Sequence, residues 1–293
     1  MVKNGKRDNR QRYKCSNCGK QIQNRKRKTK KIKLLWKQYV WGKQTTKQLS
    51  EVHHKSIKWI REHLDKAPLT NFHLHPQPVV AIADATFWGR EYGVLVFRSF
   101  DLKQNLFWTE IKTETIAEYR QAREVLEELG FTFDAIVLDG KTGIKQVFKD
   151  IPVQHCQFHQ IKTVNKYFTR RPKLQAAIEL RTIALALTEV NEEYFTILLS
   201  QWHEKWKDFL KERTTNPITK KWFYTHKRIR SAYRSLNTNL PYLFTYQKYP
   251  ELHIPNTTNS LDGSFSHLKQ LIGIHRGLTQ ERRWRLIQEV LAK

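Results

Sequence analysis

Four apolar runs between residues 79 and 139 constrain this chain more than any other feature. VVAIADATF (79–87), YGVLVFRSF (92–100) and NLFWTEI (105–111) have strand length, are rich in β-branched and aromatic residues, and are joined by short turns. Apolar residues then recur at helix spacing from Glu114 to Leu129, at Ile116, Tyr119, Ala122, Val125, Leu126 and Leu129, until Gly130 stops the pattern. A fourth strand run, FDAIVLD (133–139), follows, and Gly140 opens another helical stretch through Ile144 and Phe148. Three meandering strands, a helix and a further strand predict an α/β fold with a mixed sheet.

That element order is the order of a ribonuclease-H-like sheet, and it gives two acids a shared address. Asp84 sits at the C-terminal end of the first strand run, in Ile82-Ala83-Asp84-Ala85-Thr86, and Asp139 at that of the fourth. In such a sheet the two strands are neighbours, so both carboxylates would emerge side by side at one edge. Two close anions repel, and a divalent cation relieves them. Each Asp alone also reads as a turn former or helix cap, and Asp139-Gly140 is an ordinary turn dipeptide. Asp101, in a hairpin turn, and Asp134, at the wrong end of its strand, do not share the address. A third ligand would come from a later helix, where Leu261, Phe265, Leu268 and Leu271 form a buried stripe and leave Asp262 on its flank. Asn259 followed by Asp262 equally fits a capping box, and local physics does not choose between the two.

The remaining chain divides by composition. Residues 1–33 read as a basic arm containing Cys15-Ser16-Asn17-Cys18 and ending in Asn24-Arg25-Lys26-Arg27-Lys28-Thr29-Lys30-Lys31. Residues 34–75 read as a helix-turn-helix, with Thr45 or Thr46 capping one helix and Ser56 capping a second that carries Ile57, Ile60 and Leu64. Lys55, Lys58 and Arg61 would then line its exposed face, where a two-helix linker would leave that charge without purpose. Residues 76–170 would be the first part of the catalytic core, 171–254 an all-helical insertion, and 255–293 the last helices of the core.

Charge points to the partner. There are 53 Lys and Arg against 27 Asp and Glu, a net charge of +26, so a polyanion is expected and nucleic acid is the commonest one. Arg276, in the basic stretch from His267, adds to the DNA-facing set. An anionic membrane is the rival, but no apolar run approaches the roughly 18 residues of a spanning helix. The start, MVKNGKRDNRQRYK, lacks the apolar stretch of a signal peptide. Three cysteines make no disulfide framework, so a reducing compartment is expected, cytoplasmic and associated with the nucleoid.

Read in order, Ala83-Asp84-Ala85-Thr86, Leu138-Asp139-Gly140, His155-Cys156-Gln157-Phe158-His159 and Thr257-Thr258-Asn259-Ser260-Leu261-Asp262-Gly263 resemble bacterial insertion-sequence transposases. The likeness is to the Mutator-related DDE/D group in its zinc-ribbon-bearing variant, and it covers most of the chain. It implies Asp84, Asp139 and Asp262 as a catalytic triad binding Mg²⁺ or Mn²⁺, and double-stranded DNA (terminal inverted repeats and target) as substrate. It also implies a homo-oligomer in the active complex. Two departures stand out. The third acid is Asp where the wider family has Glu. Only one of the two CxxC pairs of the ribbon is present, so Cys15 and Cys18 supply half of a four-ligand zinc site. Cys156 and His159 read as a metal-binding pair or, more plainly, as a buried thiol and a hydrogen-bonded imidazole bracing a strand-to-helix turn. The rival functions are a plain metal-dependent nuclease of the same fold and a non-catalytic DNA-binding relic.

Overall fold

The computed structural model describes every residue except 8, 9, 24, 25 and 170, so the start of the basic block at Asn24 and Arg25 lies outside the described residues. The chain divides into two compact units. One is Met1–Phe72 with His267–Lys293, and the other is His73–Ser266.

In the first unit, the segment read as a basic arm with a half zinc ribbon pairs as an antiparallel sheet. Its strands are β1 (Val2–Arg7), β2 (Arg10–Lys14) and β3 (Gln21–Gln23). Val2, Tyr13 and Ile22 stay exposed, so backbone pairing carries the sheet and no apolar core signals it in sequence. Helix α1 (Lys26–Val40) begins at Lys26 instead of Leu34, and it buries Leu35, Trp36, Tyr39 and Val40. Helix α2 (Thr46–His53) carries the full reciprocal cap between Thr45 and Gln48, and α3 (Ile57–Asp65) is capped by Ser56. The turn between them puts His54 at φ 51°. Lys55, Lys58 and Arg61 are exposed. Ile57, expected in the buried stripe, is 40% exposed, because only Ile60 and Leu64 of that stripe face inward.

The second unit contains a five-stranded mixed sheet. Strands β4 (Pro78–Phe87), β5 (Gly93–Ser99) and β6 (Asn105–Ile111) meander antiparallel. Helix α4 (Ile116–Glu128), capped by Thr115, crosses to β7 (Thr132–Leu138), which pairs parallel with β4. Beyond the expected four strands, β8 (Val153–His155) pairs parallel with β7, giving the order β6-β5-β4-β7-β8. The stretch after Gly140 is a single 3₁₀ turn, Ile144–Phe148, and not a longer helix. Tyr119, Ala122 and Leu126 of α4 pack on Val79, Ala81, Ala83, Leu95 and Phe97, the alternate residues of one sheet face. Asp101 serves the turn by accepting the Val80 N–H at 3.2 Å.

Helices α5 (Gln157–Tyr167), α6 (Gln175–Leu185) and α7 (Glu192–Lys211) follow. The insertion is not all-helical: β9 (Arg213–Thr215) and β10 (Trp222–Tyr224) form a hairpin before α8 (Lys227–Leu243). Its residues are largely exposed, so no alternation of buried and polar positions marks it. Leu180, Phe195, Leu199, Trp202, Leu236 and Phe244 form a core separate from that of the sheet. A short α9 (Thr245–Lys248) leads to α10 (Asn259–Ile274), whose later turns count with the first unit, as does α11 (Gln280–Leu291). In that unit Arg282 of α11 grips Asp65 of α3 through two hydrogen bonds, at 2.8 and 2.7 Å. Among the described residues no helix is long and apolar enough to cross a membrane.

Candidate active site

The parallel register of β4 and β7 sets Ala83 opposite Leu138, both in the core that α4 covers. Side chains alternate along a strand, so the next residues, Asp84 and Asp139, turn to the other face together. From that side come α5, bearing His159, and the first turn of α10, bearing Asp262. Ligand atoms of Asp84, His159 and Asp262 lie within 4.8 Å of one another. Asp139 adjoins the group closely enough that its charge acts on Asp84.

Local chemistry ties the two helices to each other. Helix α5 starts where Cys156 leaves β8, and the Cys156 N–H continues the ladder to the Leu138 carbonyl at 2.8 Å. The Cys156 thiol, fully buried, accepts from the Thr258 N–H at 3.3 Å and from the Thr258 hydroxyl at 3.4 Å. Gln157 donates its N–H to the Asn256 carbonyl at 2.9 Å, and the Asn256 amide returns a bond to Gln157 Oε1 at 3.0 Å. These contacts fix the start of α10 on the start of α5. The carbonyl of Thr258 accepts the N–H groups of Leu261 and Asp262, so Thr258, and not Asn259, is the capping position before the helix. A capping box from Asn259 to Asp262 is therefore absent. Oδ2 of Asp262 is buried with no hydrogen-bond partner. Both members of the CxxH element meet the Thr258 hydroxyl, Cys156 Sγ and His159 Nδ1 each at 3.4 Å, and His159 also reaches the acids.

The electrostatics are those of an overcrowded anionic site. Burial, and then the charge of Asp139, push the Asp84 carboxyl up to about 8, with Asp262 and Glu114 adding to the shift and the Ala85 N–H opposing it. Burial, and then the charge of Lys162, lowers the His159 pKa against the opposing pull of Asp262 and Asp139, the direction that favours the neutral imidazole a metal ligand needs. Two carboxylates, one with an orphaned buried oxygen, and an imidazole lie within metal-sized reach of one another, with the Asp139 carboxylate beside them, and such oxygen-rich donors suit Mg²⁺ or Mn²⁺. The residues fit the ion.

Two neighbours escaped sequence reasoning. Glu114, which reads as the start of a helix, stands just before the Thr115 cap of α4. It accepts the Tyr119 hydroxyl at 2.6 Å and pairs with Lys141 at 3.5 Å, and burial followed by Asp139 raises its pKa. His155 is buried with both ring nitrogens unpartnered. Its ring fills the space beside Gly140, where φ is +87° and an added Cβ would fall 1.8 Å from His155 Cε1. Gly140→Ala is expected to destabilise the protein by about 2 kcal/mol or more, from backbone strain and overpacking together. Thermal unfolding checks this, and an unchanged melting temperature would refute it.

Cys15 and Cys18 share a turn in which the backbone N–H groups of Cys18 and Asn17 lower the Cys15 thiol pKa. Among the described residues no third His, Cys, Asp or Glu joins that pair in a metal-sized group. Lys55, Lys58, Arg61 and Arg276, all exposed, belong to the first unit.

No family model matches the chain. No curated protein matches it either. A solved structure that does match is the cryo-EM structure of a simian T-cell lymphotropic virus intasome in complex with the PP2A regulatory subunit B56 gamma. It is 12% identical over 69% of this chain and 68% of that chain, with a TM-score of 0.21. Likeness at that level leaves function to be argued from the residues themselves.

Proposed function

We propose that the protein is a DNA transposase with a ribonuclease-H-like core. It would cut the ends of a mobile element by metal-dependent hydrolysis and join the freed 3′-hydroxyl to target DNA. One observation carries the reading: Asp84 within β4, Asp139 just past β7, and Asp262 and His159 on two clamped helices converge in a chain of net charge +26. The strand order supports the fold assignment, and the motif resemblance supports the reaction.

The three carboxylates and His159 would hold one or two divalent ions. Such ions lower the pKa of an attacking water and offset charge on the departing oxygen of a phosphodiester. The protein's own contribution is positional. The Cys156–Thr258 and Gln157–Asn256 contacts hold Asp262 in register with Asp84. Glu114, tied to Tyr119 and Lys141, borders Asp139. In the first step water oxygen attacks phosphorus and the bond to the 3′-oxygen breaks. In the second, that 3′-hydroxyl attacks a target phosphodiester and displaces its 3′-oxygen, without a covalent protein–DNA intermediate. Exposed Lys55, Lys58, Arg61 and Arg276 would contribute salt-sensitive phosphate contacts.

The DNA-binding relic is the second reading, and the unaccompanied Cys15–Cys18 pair favours it. Purified protein is tested with element-end DNA and Mg²⁺ or Mn²⁺, for cleavage and for joining. Cleavage with joining supports the transposase, cleavage alone supports a nuclease, and binding with neither product under both metals refutes catalysis.

A further inference from the structure

Beside Asp139 a groove with a cavity of about 500 Å³ opens between the turn after β7 and helices α5 and α8. That volume is in the range that takes a drug-sized or nucleotide-sized group. Its lining has a one-sided chemistry. Asp139 is the sole acid among the described lining residues, against Lys145 and Arg234 and the hydroxyl groups of Thr142, Thr163, Tyr167, Ser231, Ser235 and Thr238.

The wall is prebuilt. Gln160, fully buried, donates to the Ser235 hydroxyl at 3.1 Å and accepts from the Asn239 amide at 2.9 Å. Lys145 donates to Asn239 Oδ1 at 2.9 Å while its ammonium lies 3.9 Å from the centre of the Tyr242 ring. Ser235, having accepted from Gln160, keeps its own proton to give, and Lys145 keeps two further N–H donors. At the back stands His155, 3% exposed, with both ring nitrogens unpartnered. A neutral imidazole carries one donor, and burying it unmatched costs about 1–3 kcal/mol. Donors gathered against a single acid fit an acceptor-only, anionic group.

We infer that this groove holds a phosphodiester of the DNA strand next to the one cut at the carboxylate cluster. The inference rests on the phosphoryl-transfer reading of that cluster. The groove positions the strand, by charge-assisted hydrogen bonds from Arg234 and Lys145 and by hydroxyl donors, and reads no base.

The test is equilibrium binding of a short fluorescent oligonucleotide, single-stranded and as a duplex, in Ca²⁺ across a salt series. Arg234→Gln removes an exposed groove cation, and Thr238→Glu adds an anion at an exposed lining position. Arg120→Gln removes the same charge from an exposed site on α4, which covers the other sheet face. Arg234→Gln is expected to weaken binding about three- to tenfold and lower the salt slope by about one, and Thr238→Glu to weaken it at least tenfold. Arg120→Gln changes neither by as much. Groove variants that bind no more weakly than Arg120→Gln overturn the inference, even when the wild type cleaves DNA. Weakened binding supports the groove whether or not cleavage is seen, and absence of cleavage with Mg²⁺ and Mn²⁺ counts against the phosphoryl-transfer reading alone.

Discussion

Metal-free Asp84→Asn protein is expected to be more stable than the wild type at pH 8 and within about 1–1.5 kcal/mol of it at pH 5, and, once metal is supplied, inactive on DNA at both. Asp84 is 6% exposed, and burial with the neighbouring Asp139 raises its pKa to about 8. An unfolded Asp titrates near 4, so between about pH 4 and pH 8 the folded state holds a proton that the unfolded state has lost. The stability tied to that proton is complete below the unfolded pKa and is lost as pH rises through the folded one. Asn mimics the protonated acid and carries no such loss. The difference at pH 8 should be on the order of 2–5 kcal/mol, or several degrees in melting temperature. Adding Mn²⁺ at pH 8 should restore the wild type and leave the variant unmoved, because the ion replaces the proton only where a carboxylate remains. Cleavage should fall by at least about 10³-fold in the variant. Melting curves in EDTA at the two pH values, then with Mn²⁺, check the first part, and equal wild-type and variant stability at pH 8 would sink it.

Much of this site was legible because its largest parts obey local rules. The apolar runs of β4 and β7 identify buried neighbours, and Asp84 and Asp139, each following the last parallel pair Ala83–Leu138, inherit adjacency from the register although β4 itself continues to Phe87. Thr45 and Ser56 cap helices because a side-chain oxygen there meets an orphan N–H within three residues. What escaped depends on partners far along the chain. Strand β8 buries Gln154 and His155, and Gln154 is matched only by carbonyl and amide groups of His155, Leu243 and Tyr246. Three residues, two of them polar, carry no strand pattern. The Cys156–Thr258 clamp spans 102 positions. The N-terminal sheet and the β9–β10 hairpin bury little apolar surface, so neither leaves a periodicity to read. Glu114 read only as the opening of a helical stretch, and only the fold brings Asp139 near it.

The clamp also determines what the third acid can be, and this yields the second large effect. Asp262→Glu keeps the charge and is the residue of the wider family that the motifs resemble, yet it should lower cleavage about 10²-fold. The helix bearing Asp262 cannot retreat to accommodate another methylene. Thr258 is held by the Cys156 thiol, Asn256 is locked to Gln157, and Leu261 and Phe265 on the same helix are buried. With ligand atoms of Asp84, His159 and Asp262 already within 4.8 Å, a longer side chain must fold back or displace its neighbours. Thr258→Val offers the complement. It removes the hydroxyl contacts to Cys156 and to His159 Nδ1 and leaves the backbone N–H bond, loosening the clamp with little change in volume. In the Asp262→Glu background it should recover part of the lost cleavage, while alone it should reduce cleavage. Rates for the two single variants and the double variant, measured with Mn²⁺, form a cycle whose coupling reports the clamp. Strict additivity would mean that helix position is set elsewhere, and undiminished activity in Asp262→Glu would mean that the carboxylate has room to move.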